Sequence, residues 1–234
     1  MSAILDKGMG FRFAPDPRQM RYRMGDYLVH TLNRRTAEEF TVLEHGKILD
    51  QGLDGTCVGH AWVAWENCKP RGAARQQGHG VALEWYDRAT EIDPWPENDG
   101  DRSFGTSTTA GAQVAIEWEL GAAYVWAESL DAIKAFINSK QGPVVVGTYW
   151  YNSMFDPDED GFVTVNRASG IAGGHEWLIF GTSEENGVVY HCQNSWGTGW
   201  GDEGIFYVRE PAMADLIYGG GEACALVQTG ILPN

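Results

Sequence analysis

The feature that most constrains this chain is a set of motif residues divided between its two halves. A cysteine stands six residues after a glutamine in Gln51-Gly52-Leu53-Asp54-Gly55-Thr56-Cys57, and more than a hundred residues later come Gly174-His175 and the run QNSWGTGWG from Gln193 to Gly201. A nucleophilic thiol, an imidazole base, an orienting amide and a donor for a developing oxyanion are the parts that acyl transfer by sulfur requires. A fold that uses them must bring residues near 50 and residues near 175 to opposite walls of one cleft.

With 234 residues, 43% hydrophobic content and ten Trp, the chain can bury the core of one large domain or of two lobes. A net charge of −15 argues against a nucleic-acid partner, because phosphate binding needs clustered Lys and Arg. No stretch approaches the ~18 apolar residues that span a bilayer, so no membrane partner is expected. The opening MSAILDKGMGFRFAPDP lacks a long apolar core after a basic start and does not read as a secretory signal. Cys57, Cys68, Cys192 and Cys224 have no metal-type spacing, and one of them is wanted as a thiolate. The other three cannot all pair, which points to a reducing compartment such as cytoplasm. The chemistry calls for no cofactor and no metal, and the oligomeric state is left open.

Residues 1 to about 45 read as an irregular arm in which Tyr27-Leu28-Val29 forms a short strand. From Gly55-Thr56 the apolar residues take helical spacing through Ala61, Trp62, Ala64, Trp65 and Cys68, and Lys69-Pro70 ends the run, so Cys57 falls on the first turn of a helix. Further helices are expected at Leu83 to Glu91, from Thr106 or Thr108 to Leu120, and at Leu130 to Ser139 with Ser129 as N-cap. From Pro143 onward short β-branched or aromatic runs alternate with glycine turns: Val144-Val145-Val146, Phe162 to Val165, Glu176 to Gly181, Val188 to Gln193 and Gly204 to Val208. Helices first and strands second suggest an α+β chain, a single domain with a helical lobe over about 46–140 and a β lobe over about 141–234, with the site in the cleft between them.

The stretch Gln51 to Cys57, Gly174-His175 opening a strand, and Asn194-Ser195-Trp196-Gly197 with Trp200-Gly201 resemble the papain-like cysteine peptidases in residue order and in the step from Gln to Cys. The resemblance covers roughly residues 45 to 230. It implies a two-lobed fold and a cysteine-type endopeptidase acting on peptide or protein substrates. It makes Cys57 the nucleophile, in a thiolate–imidazolium pair with His175 as base. Asn194 orients the imidazole, Trp196 shields that contact from water, and the Gln51 amide donates to the oxyanion. It implies that Gly105 and Thr106 pair with an extended substrate, and that Gly174 and a side-chain pocket drawing on Gly147, Glu176 and Thr229 complete the cleft. Glu176 in that pocket would favour a basic or polar side chain; an outward, solvated Glu176 is the even alternative.

The departures from the family are equally specific. Val58 stands where a Trp is usual, Asp54 where a half-cystine is usual, and Gly174 where an Asp is common; Cys224 has no partner shortly before His175. His60, three residues after Cys57, reads as a packing residue in an aromatic slot, and His30, His45, His79 and His191 carry no motif. The acidic run Asp156 to Asp160 resembles the opening of a calcium loop, but its twelfth position is Arg167, so a solvated turn is favoured. The segment before Gln51 is too short for the family's usual helical prosegment, although its first twenty-odd residues suffice for a short plug across the cleft. Two other readings stand beside the endopeptidase: an amidase, peptidoglycan hydrolase or transpeptidase using the same groups, and a papain-like module without catalysis.

Overall fold

The computed structural model describes residues 7–14, 21–31, 40–72, 76–95 and 102–227. Four helices precede most of the sheet: α1 (Met24–Thr31), α2 (Cys57–Asn67), α3 (His79–Ile92) and α4 (Thr108–Glu117). Then come β1 (Ala123–Trp126), α5 (Leu130–Asn138), β2 (Val144–Tyr151), β3 (Ile171–Glu184), β4 (Val188–Gln193), β5 (Ile205–Arg209), α6 (Glu210–Tyr218) and β6 (Glu222–Val227). The strands form one antiparallel sheet in the order β1-β6-β2-β3-β4-β5.

Each face of the sheet builds a core. Along β2 the alternation of strand side chains sends Val144 and Val146 to one face, where they meet Trp150, Trp177, Phe206 and α5, and sends Val145 to the other, where it joins α2 and α4. All eleven residues of α2 are buried, because the helix lies between the sheet and α3. Gly59 permits this: a Cβ there would stand 2.1 Å from the carbonyl oxygen of Ala82 on α3. The helix thus fixes Cys57 from below with no solvent-facing side free to drift.

Most of the expected elements form. The α4 cap is Ser107, whose side chain accepts from the Ala110 N–H, and Ser129 accepts from Ala132 N–H at the start of α5. Four expectations are corrected. Tyr27-Leu28-Val29 is part of α1: Met24, Tyr27 and Leu28 recur at helical spacing in the core, Tyr27 meets Phe136 of α5 with ring centroids 6.3 Å apart, and Val29 is 78% exposed. Phe162 to Val165 is not a strand. It touches β5 through one bridge at Tyr207, and Ser153 competes for its backbone by donating to the Thr164 carbonyl and accepting from the Asn166 N–H. His175 does not open a strand either, since β3 begins four residues earlier at Ile171. The sheet side also starts before residue 141, with β1 paired to β6 and α5 packed in the sheet-side core. Among the described residues no helix is long and apolar enough to cross a membrane.

Candidate active site

Cys57 is the first residue of α2, where the backbone N–H groups lack intrahelical acceptors. Its side chain is fully buried, and backbone N–H groups of Glu176, Gly10 and Val58 face the thiol. Burial, and behind it the charge of Glu176, pushes the thiol up to about 12 despite those donors. The expected thiolate is therefore absent in this conformation, because the helix-terminal field is outweighed by desolvation.

His175 lies in β3 beside Thr148 of β2 and is also fully buried. Its Nε2 is 2.8 Å from Asn194 Oδ1, and the same oxygen accepts from the Ser195 N–H at 2.8 Å. An oxygen that already accepts from a backbone N–H calls for a second donor, so the imidazole proton is assigned to Nε2 and Nδ1 keeps its lone pair. Nδ1 has no hydrogen-bond partner. The Trp196 ring stacks on the imidazole with centroids 4.6 Å apart, and Trp150 meets it edge-on at 5.1 Å. Burial lowers the imidazole to about 4, with Asn194 opposing and His60 reinforcing the shift. The expected imidazolium partner is thus a neutral ring here.

Gln51 is tied to the Asn194 loop: its N–H donates to the Ser195 carbonyl at 2.9 Å and its Oε1 accepts from Ser195 Oγ at 2.6 Å. Its Nε2 donates to the carbonyls of Asp54 at 2.7 Å and Gly8 at 3.2 Å. The expected oxyanion donor is engaged by the N-terminal arm. Residues 8–12 of that arm run through the cleft. Gly8 N–H donates to Gly52 O, Phe11 N–H to Gly174 O at 3.0 Å, Arg12 N–H to Thr106 O at 2.7 Å, and Thr106 N–H to Gly10 O at 2.8 Å. The strand-like pairing expected at Gly105-Thr106 is made by the arm, as a parallel bridge between Phe11 and Thr106. The Arg12 guanidinium lies 4.0 Å over the Trp95 ring.

Phe11 seats its ring on Gly147: a Cβ there would stand 2.5 Å from the ring. Gly174 has the same function at the arm backbone, where a Cβ would be 2.0 Å from the Phe11 carbonyl oxygen. Glu176 is not solvated. It is fully buried, and its Oε2 accepts from Thr108 Oγ1 at the start of α4. Thr229, the remaining expected pocket residue, lies outside the described residues. Burial raises the Glu176 carboxyl from 4.5 to about 8, with Glu222 adding to the rise and Thr108 and Trp62 opposing it. A raised folded-state value stabilises the fold fully below the unfolded value and loses that contribution as pH climbs toward 8. His175 and His60, both lowered to about 4, act oppositely and lose stability as pH falls below 6.5. Thermal melts across pH 5–9 are therefore expected to fall on the alkaline side, and Glu176→Gln is expected to flatten that limb while leaving the acid limb intact.

A family model described as papain family cysteine protease matches residues 50–221. The chain belongs to the papain family. Cathepsin B-like cysteine proteinase 6 of Caenorhabditis elegans is 23% identical over 163 residues, covering 66% of this chain and 40% of that protein. The fold is that of xylellain, a cysteine protease from Xylella fastidiosa, with a TM-score of 0.65, 16% identity and coverage of 96% of this chain and 98% of the other. Digestive procathepsin L 3 from the larval midgut of Tenebrio molitor superposes with a TM-score of 0.64 at 13% identity, over 96% of this chain and 77% of that one.

The papain-family site is modified here by groups that its motif does not reveal. His60 is buried, with Nδ1 2.9 Å from the Thr56 carbonyl and Nε2 3.0 Å from Nδ1 of His79, a residue with no motif of its own. The pair ties the first turn of α2 to the start of α3. Their spacing of nineteen residues across a turn gave no local signal. The Asp156–Asp160 loop uses its Asp158 carboxylate on its own backbone, accepting from the N–H groups of Asp160 and Phe162.

Proposed function

We propose that this chain is a cysteine-type endopeptidase in which Cys57 forms a thioester with the acyl half of a peptide bond. The observation that carries this reading is the fixed tautomer of His175: Asn194, itself held by the Ser195 N–H, leaves Nδ1 free to accept a proton while the neighbouring residue, Glu176, presents its N–H to the Cys57 thiol. In the reaction the thiol proton passes to Nδ1 as sulfur attacks the scissile carbonyl. The negative charge that forms on the carbonyl oxygen is stabilised by Gln51 Nε2 and the Cys57 N–H. The amine leaves with the proton held by His175, and water, deprotonated by the same nitrogen, hydrolyses the thioester and restores the thiol. Trp196 and Trp150 keep water from competing for the Asn194 contact.

The arm must leave before any of this occurs, because it blankets the thiol and engages the Gln51 amide. In our reading the chain is a peptidase held closed by its own residues 8–12. Four free, buried cysteines support a reducing compartment such as cytoplasm as its setting. The test is digestion of a proteome-derived peptide library, with new N-termini identified by mass spectrometry. Cleavage that disappears in Cys57→Ala is the expected result. No cleavage by either the whole chain or a variant with a weakened arm would leave the fold as a binding module.

A further inference from the structure

The peptide that carries the Cys57 N–H is held from behind. Its carbonyl belongs to Thr56, and in a trans peptide the carbonyl and the N–H point in opposite directions, so a donor on Thr56 O stands at the back of the group that faces the cleft. Thr56 O has two such donors: the His60 N–H at 3.2 Å, which is the first helical bond of α2, and His60 Nδ1 at 2.9 Å. The helical bond alone satisfies the buried carbonyl, so the bond from the ring is surplus to the needs of the fold. An aromatic hydrocarbon in the same slot would pack between α2 and α3 without supplying it.

A carbonyl only accepts, so the ring proton of His60 is assigned to Nδ1, and Nε2 of the neutral ring accepts. Burial keeps that ring neutral, lowering it to about 4 against the Thr56 carbonyl and with His79 adding to the fall. Nε2 lies 3.0 Å from Nδ1 of His79, which is then the donor. His79 is exposed at the start of α3. The bonds therefore run one way: His79 Nδ1–H to His60 Nε2, His60 Nδ1–H to Thr56 O, and, through the same peptide, Cys57 N–H toward the cleft. Hydrogen bonds in a head-to-tail chain polarise one another, and they do so most where water is excluded, as it is around His60 and Cys57.

Resting on the reading of the chain as a peptidase, we propose that His60 and His79 are positioning residues that hold and polarise the Thr56–Cys57 peptide, so that its N–H binds the oxyanion of acyl transfer more strongly. Neither ring takes part in proton transfer, which belongs to His175. Their effect reaches the reacting carbonyl only through the peptide, and it is felt only while charge sits on the carbonyl oxygen.

The experiment compares hydrolysis of N-benzyloxycarbonyl-glycine p-nitrophenyl ester with alkylation of Cys57 by iodoacetamide, both on the full chain carrying Phe11→Ala as parent. The ester makes no demand on a side-chain pocket and builds an oxyanion; alkylation builds none. Cooperative strengthening of about 10–30% per bond, applied to a donor worth about 10²- to 10³-fold, predicts that His60→Phe lowers kcat about 2- to 8-fold with KM and the alkylation rate unchanged. Asparagine places an N–H donor where Nδ1 stands, so His60→Asn should recover part of that loss, and His79→Ala, which removes only the outer donor, should show a smaller fall than His60→Phe. If phenylalanine is not tolerated by the fold, His60→Asn and His79→Ala carry the test, each lowering kcat below the parent at constant alkylation rate. A kcat equal to the parent's in all variants, or alkylation that falls in step with kcat, would overturn the proposal while leaving the peptidase reading in place. Ester turnover that is the same in Cys57→Ala as in the parent overturns the peptidase reading, and the proposal with it.

Discussion

Replacing Phe11 by alanine is expected to accelerate alkylation of Cys57 by iodoacetamide roughly 30- to 150-fold, because it removes about 2–3 kcal/mol of apolar burial from the arm-closed state. In the closed state the thiol is fully buried and pushed up to about 12. Alkylation must therefore proceed through the fraction of molecules in which the arm has opened. The backbone pairs at Gly10, Phe11 and Arg12 remain available to the variant, but each exchanges for a bond to water on opening and holds the arm only weakly. The ring on Gly147 is the contact that water does not replace. Gly174→Ala attacks the same closure from the other wall, since its Cβ would stand 2.0 Å from the Phe11 carbonyl oxygen, and it should also speed alkylation. Mass-spectrometric rates on the whole chain and on both variants, with Cys68, Cys192 and Cys224 as internal controls, measure the effect. Cys192 lies in the core on the other face of the sheet from Phe11, so its rate should not move, while Cys68 and Cys224, in the same core as Phe11, report any general loosening of that core. If Phe11→Ala labels Cys57 no faster than the unmodified chain, the arm does not hold the cleft shut.

The parts of this site that were legible in the sequence are those that short-range order defines. Cys57 at a helix start followed from the switch to helical spacing after Thr56, and the order Gln51, Cys57, His175, Asn194 carried the family. Its acid–base state was not legible. The helix terminus favours a thiolate, but burial under an arm some fifty residues upstream reverses the outcome, and neither spacing nor composition records that contact. The same holds for the contact of His60 with His79, which depends on how α2 packs against α3, and for the row of Glu176, Gly147 and Glu222, which depends on the register of three strands far apart in the chain. Misreading Tyr27-Leu28-Val29 as a strand has a different cause. Three adjacent residues with β propensity carry no period, and only Met24, three residues upstream of Tyr27, reveals the helical face. The helix α6 was not expected at all, although its start carries a signal in an acidic residue and a proline, Glu210-Pro211, in the first turn.

Gln51→Ala is expected to move two measurements in opposite directions. Its Nε2 now donates to the arm at Gly8, so removing it loosens the plug and should raise the rate of iodoacetamide alkylation. That reaction displaces iodide from carbon and builds no charge on a carbonyl oxygen, so it has no need of an oxyanion donor. Peptide hydrolysis does, and loss of one such donor costs about 10²- to 10³-fold in kcat. Measured in a Phe11→Ala background, where the arm no longer limits access, Gln51→Ala should therefore lower kcat by that factor with little change in KM. Gln51→Glu keeps the side-chain volume and an acceptor for Ser195 Oγ but replaces the donor with a carboxylate, and it should be at least as impaired as the alanine variant. A purely structural Gln51, bracing the loop through Ser195, predicts the reverse ranking, with the glutamate tolerated and the alanine poor. The order of the two variants thus separates a residue that stabilises the oxyanion from one that only holds its loop.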